Sequence, residues 1–250
     1  MSRASWYRIV LLAAFLAVLE LCCRLGLIDR SAVIPPTEMI AGARDALSVA
    51  ATRHGILLTL ESVFASIVLS VTAGIATGLA LHRLPRVHRA LDPFLASYYA
   101  VPTFIFYPVF IVLFGLNRWP LVAIGFVFSV VAVVINTLDG LSRVPRALVR
   151  TALALRLSRA QTIIYVTFPA AMPWLLTGVK LAIAYSFIGV IAGEFVLSNE
   201  GLGHIIAFAY NSFENPTMYG LILVLFVIVG GINMAIWSQE RRIYERRGGR

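Results

Sequence analysis

In a chain of 250 residues that is 60% apolar and 13% charged, the side chains able to do chemistry are few. The four histidines (His54, His82, His88 and His204) have no metal-ligand spacing to one another, so no metal site is expected. Neither a Ser/His/Asp set nor paired carboxylates at membrane depth can be assembled, which argues against an enzyme. No glycine-rich loop ending in Lys-Ser or Lys-Thr is present to cradle phosphates. Cys22 and Cys23 are adjacent and read as buried apolar thiols. Ionisable and amide groups inside apolar runs matter more, because charge is costly in hydrocarbon and usually has a task. Four are candidates for a solute path: Glu61, Asn136, Lys180 and Glu194. Lys180 either faces a cavity and helps an anion pass, or snorkels to the surface or pairs at an interface. Thr59 and Glu61 are expected close to the outer surface, where water would solvate them.

The densest chemistry lies in the basic segment at 140–169, with Arg143, Arg146, Arg150, Arg156, Arg159 and no lysine. At helical spacing Leu141, Val144, Leu148, Ala152 and Leu155 form one stripe opposite Arg143, Arg146 and Arg150. Continuing that helix would carry Arg156 and Arg159 onto the stripe, so a break is predicted near Arg156-Leu157. Ser158 with Gln161 three residues on is a capping-box signature for a second short helix running toward Pro169. Periodicity alone leaves two readings, an amphipathic element resting on headgroups or one docked to a partner.

Membrane-length helices must position these residues. A mean hydropathy of +0.87 and apolar runs of 18 or more residues define an all-α polytopic membrane protein. Six spans are predicted, over 6–23, 56–81, 94–116, 119–138, 170–195 and 218–237. The first carries Glu20 and no cleavage site before Arg24, and is read as an uncleaved helix. Small residues in the second span, from Ala65 to Ala80, allow close helix approach. Residues 1–55 are taken as an N-terminal helix with an outer segment, in which Met39, Ile40, Ala43 and Leu47 mark a surface helix. Residues 56–240 are taken as the core and 241–250 as a basic tail.

The net charge of +9 is explained by topology and anionic lipid, with nucleic acid excluded. With the N-terminus inside, 15 of the 21 Lys and Arg residues fall on inner segments. These are Arg3 and Arg8, the group at 83–89, the five of 140–169 and the five of the tail. Five fall outside, and Lys180 lies within a span. The positive-inside bias places both termini in the cytoplasm.

Residues 148–182, LVRTALALRLSRAQTIIYVTFPAAMPWLLTGVKLA, resemble the cytoplasmic EAA loop and following helix of binding-protein-dependent ABC importer permeases. Val101-Pro102, Pro108, Phe114-Gly115, Asn136, the run from Phe168 to Pro173, Gly178, Gly193-Glu194 and Gly201-Leu202-Gly203 extend the likeness, in order, to the nitrate/sulfonate/taurine branch. The resemblance implies a permease of the bacterial cytoplasmic membrane that imports a small polar, anionic solute: nitrate, a sulfonate such as taurine, bicarbonate or a related organic compound. It further implies a second, commonly identical permease subunit, two ATPase subunits that hold ATP and Mg, and a soluble or lipid-anchored solute-binding protein. No cofactor is expected on this chain.

Carried over residue by residue, Arg150, Thr151, Ala152, Leu155, Arg156, Leu157 and Ser158 would form the coupling helix that contacts the ATPase. Two positions depart from the family pattern. Arg150 stands where the family has Glu, and Arg156 where a glycine permits the turn, which leaves the turn geometry open. A partner ATPase with extra acidic groups in its groove would match both changes. Lys180 falls where the family tends to carry a basic residue, and Glu194 resembles a recurrent acid with a structural or gating role. The alternative reading is an ion-gradient-driven secondary transporter, which predicts paired charges or broken helices deep in several spans.

Overall fold

The computed structural model describes residues 3–246, with the side chains at 3–5, 8, 9 and 239–246 among those outside the description. The side chains of the basic tail expected at 241–250, and those of Arg3 and Arg8, therefore lie outside what is described, as do residues 247–250 altogether. In chain order the helices are α1 (Arg3–Arg24), α2 (Pro36–Ser48), α3 (Ala50–Arg83), α4 (Pro85–Ser97), α5 (Tyr107–Phe114), α6 (Trp119–Ser142), α7 (Arg146–Ala154), α8 (Arg159–Thr162), α9 (Phe168–Leu197), α10 (Leu202–Asn211) and α11 (Asn215–Arg246). No strand occurs among the described residues. Four helical stretches among these residues are long and apolar enough to cross a bilayer: Ala50–Arg83, Trp119–Ser142, Arg159–Val196 and Asn215–Ile236.

The span expected over 94–116 is not one helix. α4 ends at Ser97, 3₁₀ turns follow at Tyr98–Ala100 and Thr103–Phe106, and α5 begins at Tyr107. Pro102 lacks a backbone N–H and pushes the preceding residue out of the helical region; Val101 is extended at φ −89°, ψ 120°. Pro108 sits in the first turn of α5, where a missing N–H costs nothing.

The chain packs as two units. The first comprises Met1–Thr59 and Glu194–Gly231. Here Glu20, which interrupts the first apolar run, has a structural task. Its carboxylate accepts from Thr37 N at 3.1 Å and Thr37 Oγ1 at 2.8 Å, satisfying donors in the first turn of α2, and pairs with Arg24 at 2.6 Å. α2 is present, but its buried face is Gly42, Ala43 and Ala46, while Ile40 and Leu47 are exposed. The small face wins because the backbone of α11 lies against it. A Cβ on Gly42 would run into the carbonyl of Pro216, and one on Gly220 into Gly42 and Ala43. Ala46, Leu202, Ile206, Ala209, Met218 and Leu221 close the core of this unit.

The second unit comprises Leu60–Gly193 and Ile232–Arg250. It is organised on α6, whose buried residues run from Pro120 to Leu141. The small residues read in the second span serve this contact. Cβ atoms on Gly74 and Gly78 would press on Val133 and Thr137, and Ser66 Oγ donates to the carbonyl of Val122 at 3.0 Å. Ser129 Oγ lies 2.5 Å from Ser70 Oγ and accepts from Ser186 Oγ at 3.1 Å, so three helices share a buried hydroxyl cluster. Such bonds contribute about 0.6 kcal/mol each in a membrane interior. α9 approaches most closely at Gly189, whose added Cβ would lie 3.0 Å from the Cα of Gly125.

Candidate functional site

The arginine-rich loop folds as helix, turn, helix, with boundaries shifted from the sequence pattern. α6 keeps Leu141 and runs to Ser142, and Pro145 is the N-cap of α7. The predicted stripe is therefore divided. Leu141 and Ala152 are buried, Val144 is half-buried against Leu141, Ala171 and Leu175, and Leu148 and Leu155 stay exposed. Arg143 lies over the Trp174 ring at 5.8 Å, in cation–π range.

Arg156 resolves the open turn. It adopts φ 53°, the left-handed conformation a glycine would supply. Arg156 N–H donates to the carbonyl of Leu153 at 2.9 Å and Leu157 N–H to that of Ala152 at 3.0 Å, the paired bonds of a Schellman motif. The turn geometry survives without the glycine, at a conformational cost of about 1 kcal/mol for an L-residue. Ser158 then caps α8 reciprocally with Gln161: Gln161 N–H donates to Ser158 Oγ at 3.2 Å and Ser158 N–H to Gln161 Oε1 at 2.8 Å. Between α8 and α9 the backbone widens into a π turn over Ile163–Thr167, with Phe168 N–H donating to the carbonyl of Ile163. Pro169 cannot donate to Tyr165 and needs room for its ring, which a wider turn provides. A cleft of about 390 Å³ runs along the loop, lined by residues that include Leu148, Thr151, Leu155, Leu157, Tyr165 and Pro169.

A second polar centre lies in the first unit. Glu194 is 1% exposed, and both its oxygens lie 2.8 Å from Thr59 Oγ1. It also accepts from Gly203 N–H at 2.9 Å, while Leu202 N–H donates to Thr59 Oγ1 at 2.8 Å. Carboxylate and hydroxyl together satisfy the first N–H groups of α10 and compensate its dipole. Gly201, at φ 101°, lets the chain pass so close to the carboxylate that any Cβ would collide with it. Thr59, expected to be solvated, is 2% exposed. It escaped the sequence reading because its partner is 135 residues away; Gly201-Leu202-Gly203 was the available signal.

The other path candidates lie on α3, α6 and α9. Glu61 is largely exposed and pairs with Arg118 at 2.7 Å. Asn136 donates from Nδ2 to the carbonyl of Ala132 at 2.8 Å and packs where Gly178 makes room. Lys180, two residues beyond Gly178 on α9, is half-buried. Among the described residues no group of three or more His, Cys, Asp or Glu is placed to hold a metal ion.

With this geometry in hand, the relatives are informative. Residues 70–242 match the family model for the binding-protein-dependent transport system inner membrane component. The chain is 25% identical to the taurine transport system permease protein TauC of Escherichia coli (strain K12), over 97% of this chain and 90% of that one. It is 28% identical to the nitrate import permease protein NrtB of Leptolyngbya laminosa, over 75% of this chain and 70% of that one. A chain in an inward-facing structure of the MetNI methionine ABC transporter shares the fold, with a TM-score of 0.66 at 17% identity, covering 76% of this chain and 94% of that one. The protein belongs to the inner membrane component family of binding-protein-dependent transport systems: it is a multi-pass permease subunit of an ABC importer.

Proposed function

We propose that this permease imports a small polar, anionic solute of the kind named for its relatives, taurine or nitrate. A separate ATPase pair carrying ATP and Mg supplies the energy, and a solute-binding protein delivers the cargo. The loop at 140–169 is the coupling element. Arg150, Thr151, Ala152, Leu155, Arg156, Leu157 and Ser158 form its contact with the ATPase, on the cytoplasmic side with both termini.

One observation carries this reading. The helix–turn–helix is rigidly specified, by paired Schellman bonds and a reciprocal cap, yet it keeps Leu148 and Leu155 open among arginines. A segment that only rested on headgroups would not need a fixed left-handed turn at a non-glycine residue. A rigid, partly apolar knob matches what a motor protein requires to push on. The secondary-transporter alternative predicts paired charges or broken helices deep in several spans; the described residues show one such break, between Ser97 and Tyr107, while Glu61 is paired at an exposed position and Glu194 is engaged with Thr59 and Gly203.

The test is recovery of the complex from gently solubilised membranes, followed by ATP hydrolysis in liposomes with the cognate binding protein loaded with taurine or with nitrate. A stoichiometric ATPase whose turnover rises several-fold with one loaded solute supports the proposal. Uptake by this chain with no ATPase attached would overturn it.

A further inference from the structure

The chain gives up helical geometry between α4 and α5 at the middle of the bilayer. Depth follows from contacts within the second unit. Tyr98 Oη donates to the carbonyl of Val127 at 2.7 Å, and the Tyr99 and Tyr185 rings lie 5.1 Å apart at 30°. Val127 is near the centre of α6 and Tyr185 near the centre of α9, both within membrane-length helical stretches. At this level two 3₁₀ bonds hold the break, from Val101 N–H to Tyr98 and from Ile105 N–H to Pro102.

The broken backbone nevertheless faces outward from the fold. Tyr99 is 42% and Val101 49% exposed, and Ala100 and Pro102 are exposed beside them. Irregular backbone does not face lipid in the hydrocarbon core, because its polar groups would find no partner there; it is kept only where protein covers it or water reaches it. Tyr99 brings a phenol to the exposed side of this break, a polar group that water in a path would solvate.

We propose that the break at 98–102, with Tyr99 and Tyr185, forms part of the wall of the translocation path. The inference rests on the permease reading above and adds to it the place where solute meets the chain. Phenol hydroxyls donate to an anion without adding charge, which suits a path that must release its cargo as readily as it accepts it.

Cysteine accessibility tests this in membrane vesicles holding the full transporter, in a Cys22→Ala, Cys23→Ala background. Ala100→Cys and Val101→Cys are compared with Val112→Cys, which is 85% exposed on α5. The probe is a charged, water-soluble methanethiosulfonate. Labelling at 100 and 101 at least tenfold faster than at 112 is the expected result. Rates at both positions as slow as at 112 would overturn the proposal, since lipid or a second copy then seals the break. The labelling needs no knowledge of the cargo, and ATP hydrolysis is scored separately in the same vesicles. Loss of the permease reading, with no ATPase recovered, is therefore distinguishable from loss of the path assignment.

Discussion

At Arg156 a long charged side chain occupies backbone space that glycine enters freely, and the loop keeps its shape through the two Schellman bonds. Arg156→Gly is accordingly expected to leave the fold intact and to be neutral or stabilising by up to about 1 kcal/mol, whereas Arg156→Val should destabilise by about 1 kcal/mol or more. Thermal unfolding of the purified protein in detergent distinguishes these outcomes. Glu194 is the opposite case, a buried carboxylate with acceptors aimed at fixed donors. Glu194→Gln keeps one acceptor for Gly203 N–H but puts an amide donor in place of the other oxygen, against Thr59 Oγ1, at a cost of about 1–3 kcal/mol. Gly201→Ala should cost at least as much, because it meets both the carboxylate and a positive φ. Hydrogen exchange at the N–H groups of Leu202 and Gly203 would report either change as a local loss of protection.

At the scale of elements, the π turn at Ile163–Thr167 adds one residue to the helical register between the arginine loop and α9. Pro169→Ala removes the reason for that widening. The segment then relaxes toward α geometry and rotates α8 and α7 by about 100° relative to α9. ATP hydrolysis by the complex should fall about tenfold or more while the thermal midpoint is kept or raised, and parallel measurement of the two checks it. Legibility also divides by element. The capping box, the break at Arg156-Leu157 and the four long apolar helices were readable, because each depends on neighbours within a few residues. The broken 94–116 span was hidden by its own apolar composition, since membrane helices often tolerate proline and Pro102 alone does not announce a break. The face that α2 buries was not legible for a related reason. Periodicity ranks large apolar residues first, while close packing against Pro216 and Gly220 selected Gly42, Ala43 and Ala46.

For the whole molecule, function depends on assembly, which a single chain records only through its surfaces. If Arg150 and Arg156 are matched to acidic groups on the ATPase, the double change Arg150→Glu with Arg156→Gly should weaken co-purification about tenfold, with a loss that deepens at low ionic strength. Unchanged assembly and transport would sink the matching idea. Cargo is the least legible property: Glu61 pairs with Arg118, Glu194 with Thr59, and Asn136 bonds within its own helix, and none of these contacts names a solute.

The Glu61–Arg118 ion pair also serves as a ruler. From Glu61 to Arg83 along α3, and from Arg118 to Arg143 along α6, the helical rise is about 33 and 37 Å, close to the roughly 30 Å of a hydrocarbon slab plus its margins. Two parallel helices thus carry charged marks at matching waterlines. Lipids with much shorter or longer acyl chains would force this pair to lean, or the surrounding leaflet to pucker, so lipid thickness is built into the transporter's working geometry.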